Sequence, residues 1–387
     1  MKNLRWIIIA IAIGLGSQSL SAQEYKNYPE FSWDRVPLYM HMRKSQAFTQ
    51  EELEYLAGFP LITLEKTTGS KTYGSTEKGS LEAAAAIKKV NPKAKVLYYR
   101  NAMINYGGYD INESMEDIPG KFLENKAGET GLHGRNGANE VYDLSNNELR
   151  EWWVEHCVEM TKNEAIDGIF IDGNIKALEP EYLKGVIGSE KKEQVKEGYD
   201  LMMADLRSAL PNKLLIANII RARLPNSGLD YMKYFDGSYL EGFESEVNGY
   251  SKKDYVARGI AAVQKAARDG KIICFSIGLG KAKNTGIGID DTRQKAGDVS
   301  VLQERLTYTL SMFLIFAEKY SYFLAHDGYS VNGDDSSVWL KCFPEYKKPL
   351  GAPKGPAKKE GYTYTREFEH ASVWLDIEQE KAKIEWR

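Results

Sequence analysis

Short runs of apolar residues alternate with longer amphipathic segments along most of the chain. Eight of these runs have the length and the β-branched and aromatic content of strands, and most of them are continuously apolar with little polar alternation. Such strands are typical of a parallel sheet that is covered on both faces. The predicted strands are Val36–Met42, Pro60–Leu64, Lys95–Tyr99, Asp167–Ile171, Leu214–Ile219, Asp236–Leu240, Lys271–Ile277 and Ser321–Ala325.

The segments between the strands carry helical periodicity. In Glu148–Ala165 the apolar side chains recur at three- and four-residue spacing, so they share one helix face. The preceding Ser145-Asn146-Asn147-Glu148 has the pattern of a capping box, which predicts Ser145 as the N-cap. Eight strands alternating with helices favour an α/β fold of the (β/α)8 TIM-barrel type. A doubly wound open sheet is the alternative, but no glycine-rich phosphate loop follows the first predicted strand.

Both ends of the chain depart from this pattern. Residues 1–22 combine Lys2 and Arg5 with the apolar run Trp6–Leu15 and a small-residue site at Leu20-Ser21-Ala22. This is the layout of a secretory signal peptide, so we expect an exported protein, periplasmic or secreted, with no integral membrane segment after cleavage. An uncleaved N-terminal anchor is the alternative.

The last part of the chain predicts a small antiparallel β appendage. Lys347–Gly361 is rich in Lys, Pro and Gly and is predicted as an exposed loop. Strand-like alternation is found in Tyr362–Phe368, Ser372–Ile377 and Lys383–Trp386, with Val338–Phe343 as a fourth candidate. We therefore divide the chain into a signal peptide (1–22), a (β/α)8 catalytic barrel (23–335) and a C-terminal β element packed on the barrel (336–387).

Composition narrows the class of protein. The 387 residues include 51 basic and 54 acidic side chains, for a net charge of −3. This balance disfavours nucleic-acid binding and attachment to anionic lipid by charge. The sequence has three cysteines, and Cys157 and Cys274 fall in apolar segments as core fillers. Histidines and acids show no metal-ligand spacing, so we expect no metal and no cofactor.

Two predicted strands end in an acid followed by a glycine. Asp172-Gly173 closes the fourth strand and Glu241-Gly242 closes the sixth. The carboxyl ends of barrel strands meet at one mouth, where reactive groups stand, and a glycine there lets a ligand approach closely. Alternatively, Asp172 caps a helix or pairs with an arginine, and Glu241 is a solvated acid in a loop.

Two carboxylates across a barrel mouth are what glycoside hydrolysis requires. One protonates the leaving oxygen, and the other attacks the anomeric carbon or activates water. Carboxyl groups about 5–5.5 Å apart fit retention of configuration, and about 6.5–9.5 Å fits inversion. Both outcomes are compatible with the sequence, and Glu244, Glu246 and Asp327 are alternatives to Glu241 as the acid/base.

Polar side chains follow most of the other predicted strands and suit a ligand rich in hydroxyl groups. The long segment Asn101–Leu144, with tyrosines near its start, is predicted to form one wall of the cleft. The predicted substrate-binding residues are His41, Arg43, Glu65, Tyr99, Arg100, Asn101, Asn174, Asn218, Ser276 and Asp327.

Several short motifs resemble a family of predicted glycoside hydrolases from gut and marine Bacteroidetes. The motifs are Leu97–Asn101, Asp167–Asp172, Tyr239–Phe243, Pro349–Gly351, Tyr364–Glu369 and Val373–Leu375. In broader pattern the chain is similar to endo-α-1,4-polygalactosaminidase and α-galactosidase-type barrels, which place an Asp after the fourth strand and an acid after the sixth. The resemblance implies Asp172 as nucleophile and Glu241 as acid/base. It also implies a complex glycan as substrate, because family members are often encoded beside polysaccharide-uptake machinery.

The sequence therefore predicts an exported, monomeric glycoside hydrolase with a carbohydrate substrate, no nucleic-acid partner and no metal. A noncatalytic glycan-binding barrel of a polysaccharide-utilisation system is the alternative from another class. A lyase or transferase on the same barrel is the third reading. A wider separation of the two carboxyl groups, or the burial of either one in an ion pair, would favour the binding protein.

Overall fold

The computed structural model describes residues 27–245, 249–279, 299–326, 330 and 343–387. Eight parallel strands lie in chain order, each hydrogen-bonded to the next. The strands are β1 (Met40–Met42), β2 (Leu61–Leu64), β3 (Lys95–Asn101), β4 (Gly168–Asp172), β5 (Leu214–Asn218), β6 (Gly237–Leu240), β7 (Ile272–Gly278) and β8 (Ser321–His326).

The sheet closes between its last strand and its first. Leu38, just before β1, forms a parallel bridge with Phe323 of β8, and the Phe323 amide donates to the Pro37 carbonyl at 2.8 Å. All eight predicted strands are present and form one barrel, so the (β/α)8 prediction is confirmed. β1 is shorter than predicted because the segment before Met40 contributes isolated bridging contacts rather than a continuous ladder.

Helices separate the strands and cover the barrel. They are α1 (Gln50–Leu56), α2 (Ser70–Tyr73), α3 (Thr76–Val90), α4 (Asn147–Lys162), α5 (Asn174–Leu178), α6 (Lys184–Ile187), α7 (Ser189–Ala209), α8 (Lys252–Arg268) and α9 (Val299–Phe316). The N-cap of α4 is Asn146, whose side chain accepts from the amides of Glu148 and Leu149. The prediction of Ser145 was one residue off, because the Ser145 hydroxyl donates to Asp143 Oδ1 at 2.7 Å instead.

A separate four-stranded antiparallel sheet follows the barrel. Its strands are β9 (Lys358–Glu360), β10 (Thr363–Glu367), β11 (Ala371–Asp376) and β12 (Lys381–Trp386), in the order β12-β11-β10-β9. The predicted antiparallel element is confirmed, with β9 arising in a segment predicted as a loop. The other candidate strand, Val338–Phe343, lies outside the described residues except for Phe343.

Arg366 of β10 fixes this sheet to the barrel. Its buried guanidinium donates to the carbonyl oxygens of Leu314 (3.0 Å) and Ala317 (2.5 Å), at the end of α9, and to Glu318 (2.9 Å). Carbonyl groups at a helix end have no partner within the helix, and a buried cation satisfies them.

The amino-terminal ends of β4 and β6 carry acids with structural partners. Asp167 pairs with Lys88 at 2.7 Å and accepts from the Val96 amide, and Asp236 pairs with Arg207 at 2.8 Å and accepts from the Leu215 amide. These acids hold neighbouring strands together at the end of the barrel opposite to the mouth. Among the described residues, Cys157 and Cys274 are buried free thiols, and no helix is long and apolar enough to span a bilayer.

Candidate active site

Asp172 ends β4 at the mouth of the barrel, partly buried among hydrogen-bond donors. The Tyr99 hydroxyl donates to Asp172 Oδ2 at 2.7 Å, and Asn101 Nδ2 lies 3.4 Å from the same oxygen. Burial alone would raise the pKa of this carboxyl. However, the cations Lys176 and Lys66 and the hydrogen bond from Tyr99 outweigh burial and hold the pKa of Asp172 below its usual value. Asp172 is therefore an ionised carboxylate near neutral pH.

One amide joins Asp172 to the acid that follows β6. Asn218, the last residue of β5, places Nδ2 3.2 Å from Asp172 Oδ1 and 2.8 Å from Glu241 Oε1. Because both oxygens contact a single nitrogen atom, they lie within about 6 Å of each other. The two predicted acids therefore converge over one end of the barrel.

Glu241 differs from Asp172 in its surroundings. Its side chain is 31% exposed, and Arg221 Nη2 lies 3.5 Å from its Oε1 atom. The same Arg221 nitrogen donates to Asn218 Oδ1 at 2.9 Å. The ion pair of Glu241 is thus open to solvent, so a water molecule can reach this carboxyl group.

The glycines after the two acids are required by protein side chains. A Cβ on Gly173, whose φ is +81°, would lie 2.4 Å from Asn101 Oδ1. A Cβ on Gly242, whose φ is +55°, would lie 2.5 Å from Arg221 Nη1. The expectation that Gly173 makes room for a ligand is corrected, because the atom that approaches it belongs to Asn101.

Aromatic rings form the floor beneath the carboxylates. The His41 ring centroid lies 4.7 Å from that of Phe170 and 4.9 Å from that of Tyr239, and Tyr99 stacks on Phe170 at 5.7 Å. Burial, followed by the charge of Lys66, lowers the pKa of His41 to about 3. The imidazole is therefore neutral near pH 7 and packs as an uncharged ring against Phe170 and Tyr239.

One side of the mouth is basic. Lys66 Nζ lies 2.5 Å from Glu65 Oε1 and sits over the rings of Tyr99 (4.9 Å) and Tyr106 (5.2 Å). Arg43 Nη1 lies 3.6 Å from Glu65 Oε2. Burial opposes the charge of Lys66, but Glu65 and Tyr106 raise its pKa overall, so it remains a cation. We call Arg43, Lys66 and Glu65 the basic rim.

Three further predicted residues, Asn101, Asn174 and Ser276, are buried within the protein. Asn101 contacts Asp172 directly and accepts from two backbone amides. Asn174 is fully buried, donating to the Ile171 carbonyl at 2.7 Å and accepting from the Tyr199 hydroxyl at 2.7 Å. Ser276 is buried on β7. The Asn174 side chain is thus held by protein groups.

The prediction that Arg100 faces the ligand is wrong. Side chains alternate along β3, so Tyr99 and Asn101 reach Asp172 while Arg100 points to the opposite face. Its guanidinium lies over the rings of Tyr109 (4.8 Å) and Trp152 (5.2 Å), under α4.

Of the three alternative acids, Glu244 lies within the described residues. Glu244 is bound by Arg305 through both carboxylate oxygens, and Lys252 lies 3.7 Å from it. Its side chain is only 8% exposed, so it is committed to these cations. Glu246 and Asp327 lie outside the described residues.

Lys66 and Arg221 are among the residues of the site that were not predicted. Glu65 was predicted and Lys66, the next residue, was not, because only the direction of the Lys66 side chain brings it to the mouth. Arg221 lies three residues beyond Asn218, in a loop where sequence spacing gives no signal. Within the described part of the chain, no three His, Cys, Asp or Glu side chains are grouped to hold a metal ion.

Residues 88–372, which include both acids and run from α3 into β11, match the model of a family described as Hypothetical glycosyl hydrolase family 15. The chain belongs to this family. As a member of this glycosyl hydrolase family, the protein is an enzyme that hydrolyses O-glycosyl bonds. No curated protein sequence matches the chain.

Solved structures with a similar fold include three glycoside hydrolases. The glycoside hydrolase domain of PelA from Pseudomonas aeruginosa has 13% identity and a TM-score of 0.43, over 63% of this chain and 85% of that one. The α-galactosidase TtGalA from Thermus thermophilus has 12% identity and a TM-score of 0.46, over 91% and 68%. The GH36 α-galactosidase AgaA from Geobacillus stearothermophilus has 10% identity and a TM-score of 0.48, over 89% and 48%.

Proposed function

We propose that this glycoside hydrolase cleaves a bond within a complex polysaccharide or oligosaccharide, with Asp172 as nucleophile and Glu241 as acid/base. The observation that carries the proposal is the Asn218 amide, which contacts one oxygen of each acid at 3.2 and 2.8 Å. A binding protein has no need to hold two carboxylates against one amide. The solvent-open ion pair of Glu241 likewise gives no support to the noncatalytic alternative.

The separation of the two acids favours retention of configuration. Asp172 Oδ1 and Glu241 Oε1 lie within about 6 Å of each other, which supports the close pair of carboxyl groups that a retaining enzyme uses. In a retaining mechanism Asp172 attacks the anomeric carbon while Glu241 protonates the leaving oxygen. Glu241 then removes a proton from the water that hydrolyses the glycosyl-enzyme intermediate.

The environments of the two acids suit these roles. Asp172 is ionised and aimed by Tyr99 and Asn101, as a nucleophile must be. Glu241 is accessible to water, from which it takes a proton in the second step. The basic rim supplies charged donors for the hydroxyls of a sugar.

The test compares three carboxyl-to-amide variants on a panel of plant, algal and host glycans. Asp172→Asn and Glu241→Gln should each lower the release of reducing ends by about 10³-fold or more. Glu244→Gln is the matched control, because it removes an acid three residues from Glu241 that is bound to Arg305. It should retain turnover per folded molecule.

Circular dichroism and the unfolding midpoint of Asp172→Asn should stay close to those of the parent protein, so that lost turnover reports chemistry. Retained turnover in Asp172→Asn would remove the nucleophile assignment. Retained turnover in Glu241→Gln with loss in Glu244→Gln would transfer the acid/base role to Glu244.

We also propose that the enzyme is exported, on the strength of the basic, apolar and small-residue pattern of residues 1–22. The mature protein isolated from its producing cell should begin at Gln23 and be found outside the cytoplasm. A full-length chain in the cytoplasmic fraction would contradict this proposal.

A further inference from the structure

Arg221 is held rigidly behind the two acids. It is buried, with 8% of its surface exposed, in the turn that follows β5. Its amide donates to the Ser227 carbonyl at 3.0 Å, and its carbonyl accepts from the Leu224 amide at 2.9 Å. Gly242 leaves the space in which its Nη1 atom lies.

The guanidinium contacts Asn218, which links the two acids, and also Glu241, one of these acids. Arg221 Nη2 donates to Asn218 Oδ1 at 2.9 Å and lies 3.5 Å from Glu241 Oε1. A guanidinium has donors only, so it fixes the Asn218 oxygen on its own side. The Asn218 amino group is then turned toward Asp172 and Glu241.

The reverse amide orientation would be costly. It would set Asn218 Oδ1 against two carboxylate oxygens and leave the amino group facing the Arg221 cation. Acceptors would then face acceptors and donors would face donors at a buried position, which leaves polar groups unsatisfied. One arginine therefore decides which end of the amide faces the acids.

We propose that Arg221 is a positioning residue that orients the Asn218 amide and thereby holds Glu241 in place for proton transfer to the leaving group. The inference rests on the proposed roles of Glu241 and Asp172. Asp172 has its own donors in Tyr99 and Asn101, so loss of Arg221 leaves the nucleophile supported. The defect should therefore concern proton transfer more than nucleophilic attack.

Substrates with different leaving groups distinguish proton transfer by Glu241 from nucleophilic attack by Asp172. A dinitrophenolate departs without protonation, whereas a phenolate or a sugar alkoxide requires the general acid. The probes are the dinitrophenyl and phenyl glycosides of the sugar that the glycan panel identifies. The measured quantity is kcat/KM, which reports the first, bond-breaking step for both probes.

Arg221→Gln should lower kcat/KM for the phenyl glycoside by about 30-fold or more and for the dinitrophenyl glycoside by less than about 3-fold. Arg221→Lys keeps the positive charge and one donor, so it should recover part of the loss on the phenyl glycoside. Arg223→Gln is the matched control from the same turn. Arg223 pairs with Glu179 at 3.0 and 3.2 Å, and its removal should affect both probes equally and weakly.

An equal loss on both glycosides in Arg221→Gln and Arg221→Lys would overturn the inference, because it would indicate a general structural role. Unchanged kinetics in Arg221→Gln would overturn it as well. The proposed function fails by a different result, namely turnover that survives in Asp172→Asn.

Discussion

Gly173 offers a direct test of how the site is assembled. Replacing it with alanine adds a Cβ 2.4 Å from Asn101 Oδ1 and 3.1 Å from the Met103 amide nitrogen. Asn101 Oδ1 accepts from the amides of Met103 (3.0 Å) and Ile104 (2.7 Å), so it cannot move without losing these bonds. Its Nδ2 atom also contacts the Tyr99 hydroxyl and Asp172.

The cost has two parts. A side chain at positive φ costs about 1–2 kcal/mol. Leaving the two buried amides without their acceptor adds about 1 kcal/mol or more for each amide. Gly173→Ala should therefore lower the free energy of unfolding by about 3–4 kcal/mol.

Gly361→Ala is the matched control. Gly361 also has a positive φ, of +60°, but a Cβ there would meet nothing within 4 Å. It lies between β9 and β10, in the C-terminal sheet. The free energy of unfolding of this variant should decrease only by the conformational cost of about 1–2 kcal/mol.

Urea unfolding followed by circular dichroism gives both free energies, and turnover per folded molecule gives the effect on catalysis. Gly173→Ala should turn over substrate at least about 10-fold more slowly because the groups that aim Asp172 are displaced. Gly361→Ala should keep full turnover. Equal destabilisation of the two variants, or full turnover in Gly173→Ala, would refute the reasoning.

Two further predictions concern stability. Arg366→Met should lower the free energy of unfolding by about 3–5 kcal/mol, because the buried carbonyls at the end of α9 and the Glu318 carboxylate lose their cation. Turnover per folded molecule should stay unchanged. A decrease below about 1 kcal/mol, measured by urea unfolding, would contradict this prediction. Burial, with a contribution from Arg100, lowers the pKa of His156 to about 2, so below pH 6.5 the unfolded chain gains a proton that the folded chain does not. The free energy of unfolding should therefore decrease as the pH is lowered through that window. In His156→Gln the decrease between pH 7 and pH 5 should be smaller by about 2 kcal/mol. The same pH dependence in both proteins would count against a buried neutral histidine.

The barrel could be predicted from sequence because its strands are buried on both faces. A continuous apolar run such as Leu214–Asn218 is visible without knowledge of its neighbours. The edge strand Lys358–Glu360 could not be found in this way, because its three residues are exposed and only its backbone pairs with β10. Charged edge strands protect a sheet from further pairing, and they look like loops in the sequence.

The site was predictable where a residue ends a strand. Asp172 and Glu241 are such residues, since the fold itself brings the carboxyl ends of β4 and β6 to one mouth. Arg100 was assigned to the mouth because polarity was considered without the two-residue alternation that turns it outward. Arg221 could not be predicted, because the turn from Arg221 to Gly228 sets its direction.

The configuration of the first-formed product tests the convergence of Asp172 and Glu241 most directly. Proton NMR of the reaction, recorded before the released sugar mutarotates, distinguishes the two anomers. Direct attack by Asp172, with Glu241 as acid/base and one oxygen of each acid within about 6 Å, predicts a product with the same anomeric configuration as the substrate. A first product of opposite configuration would contradict direct attack by Asp172.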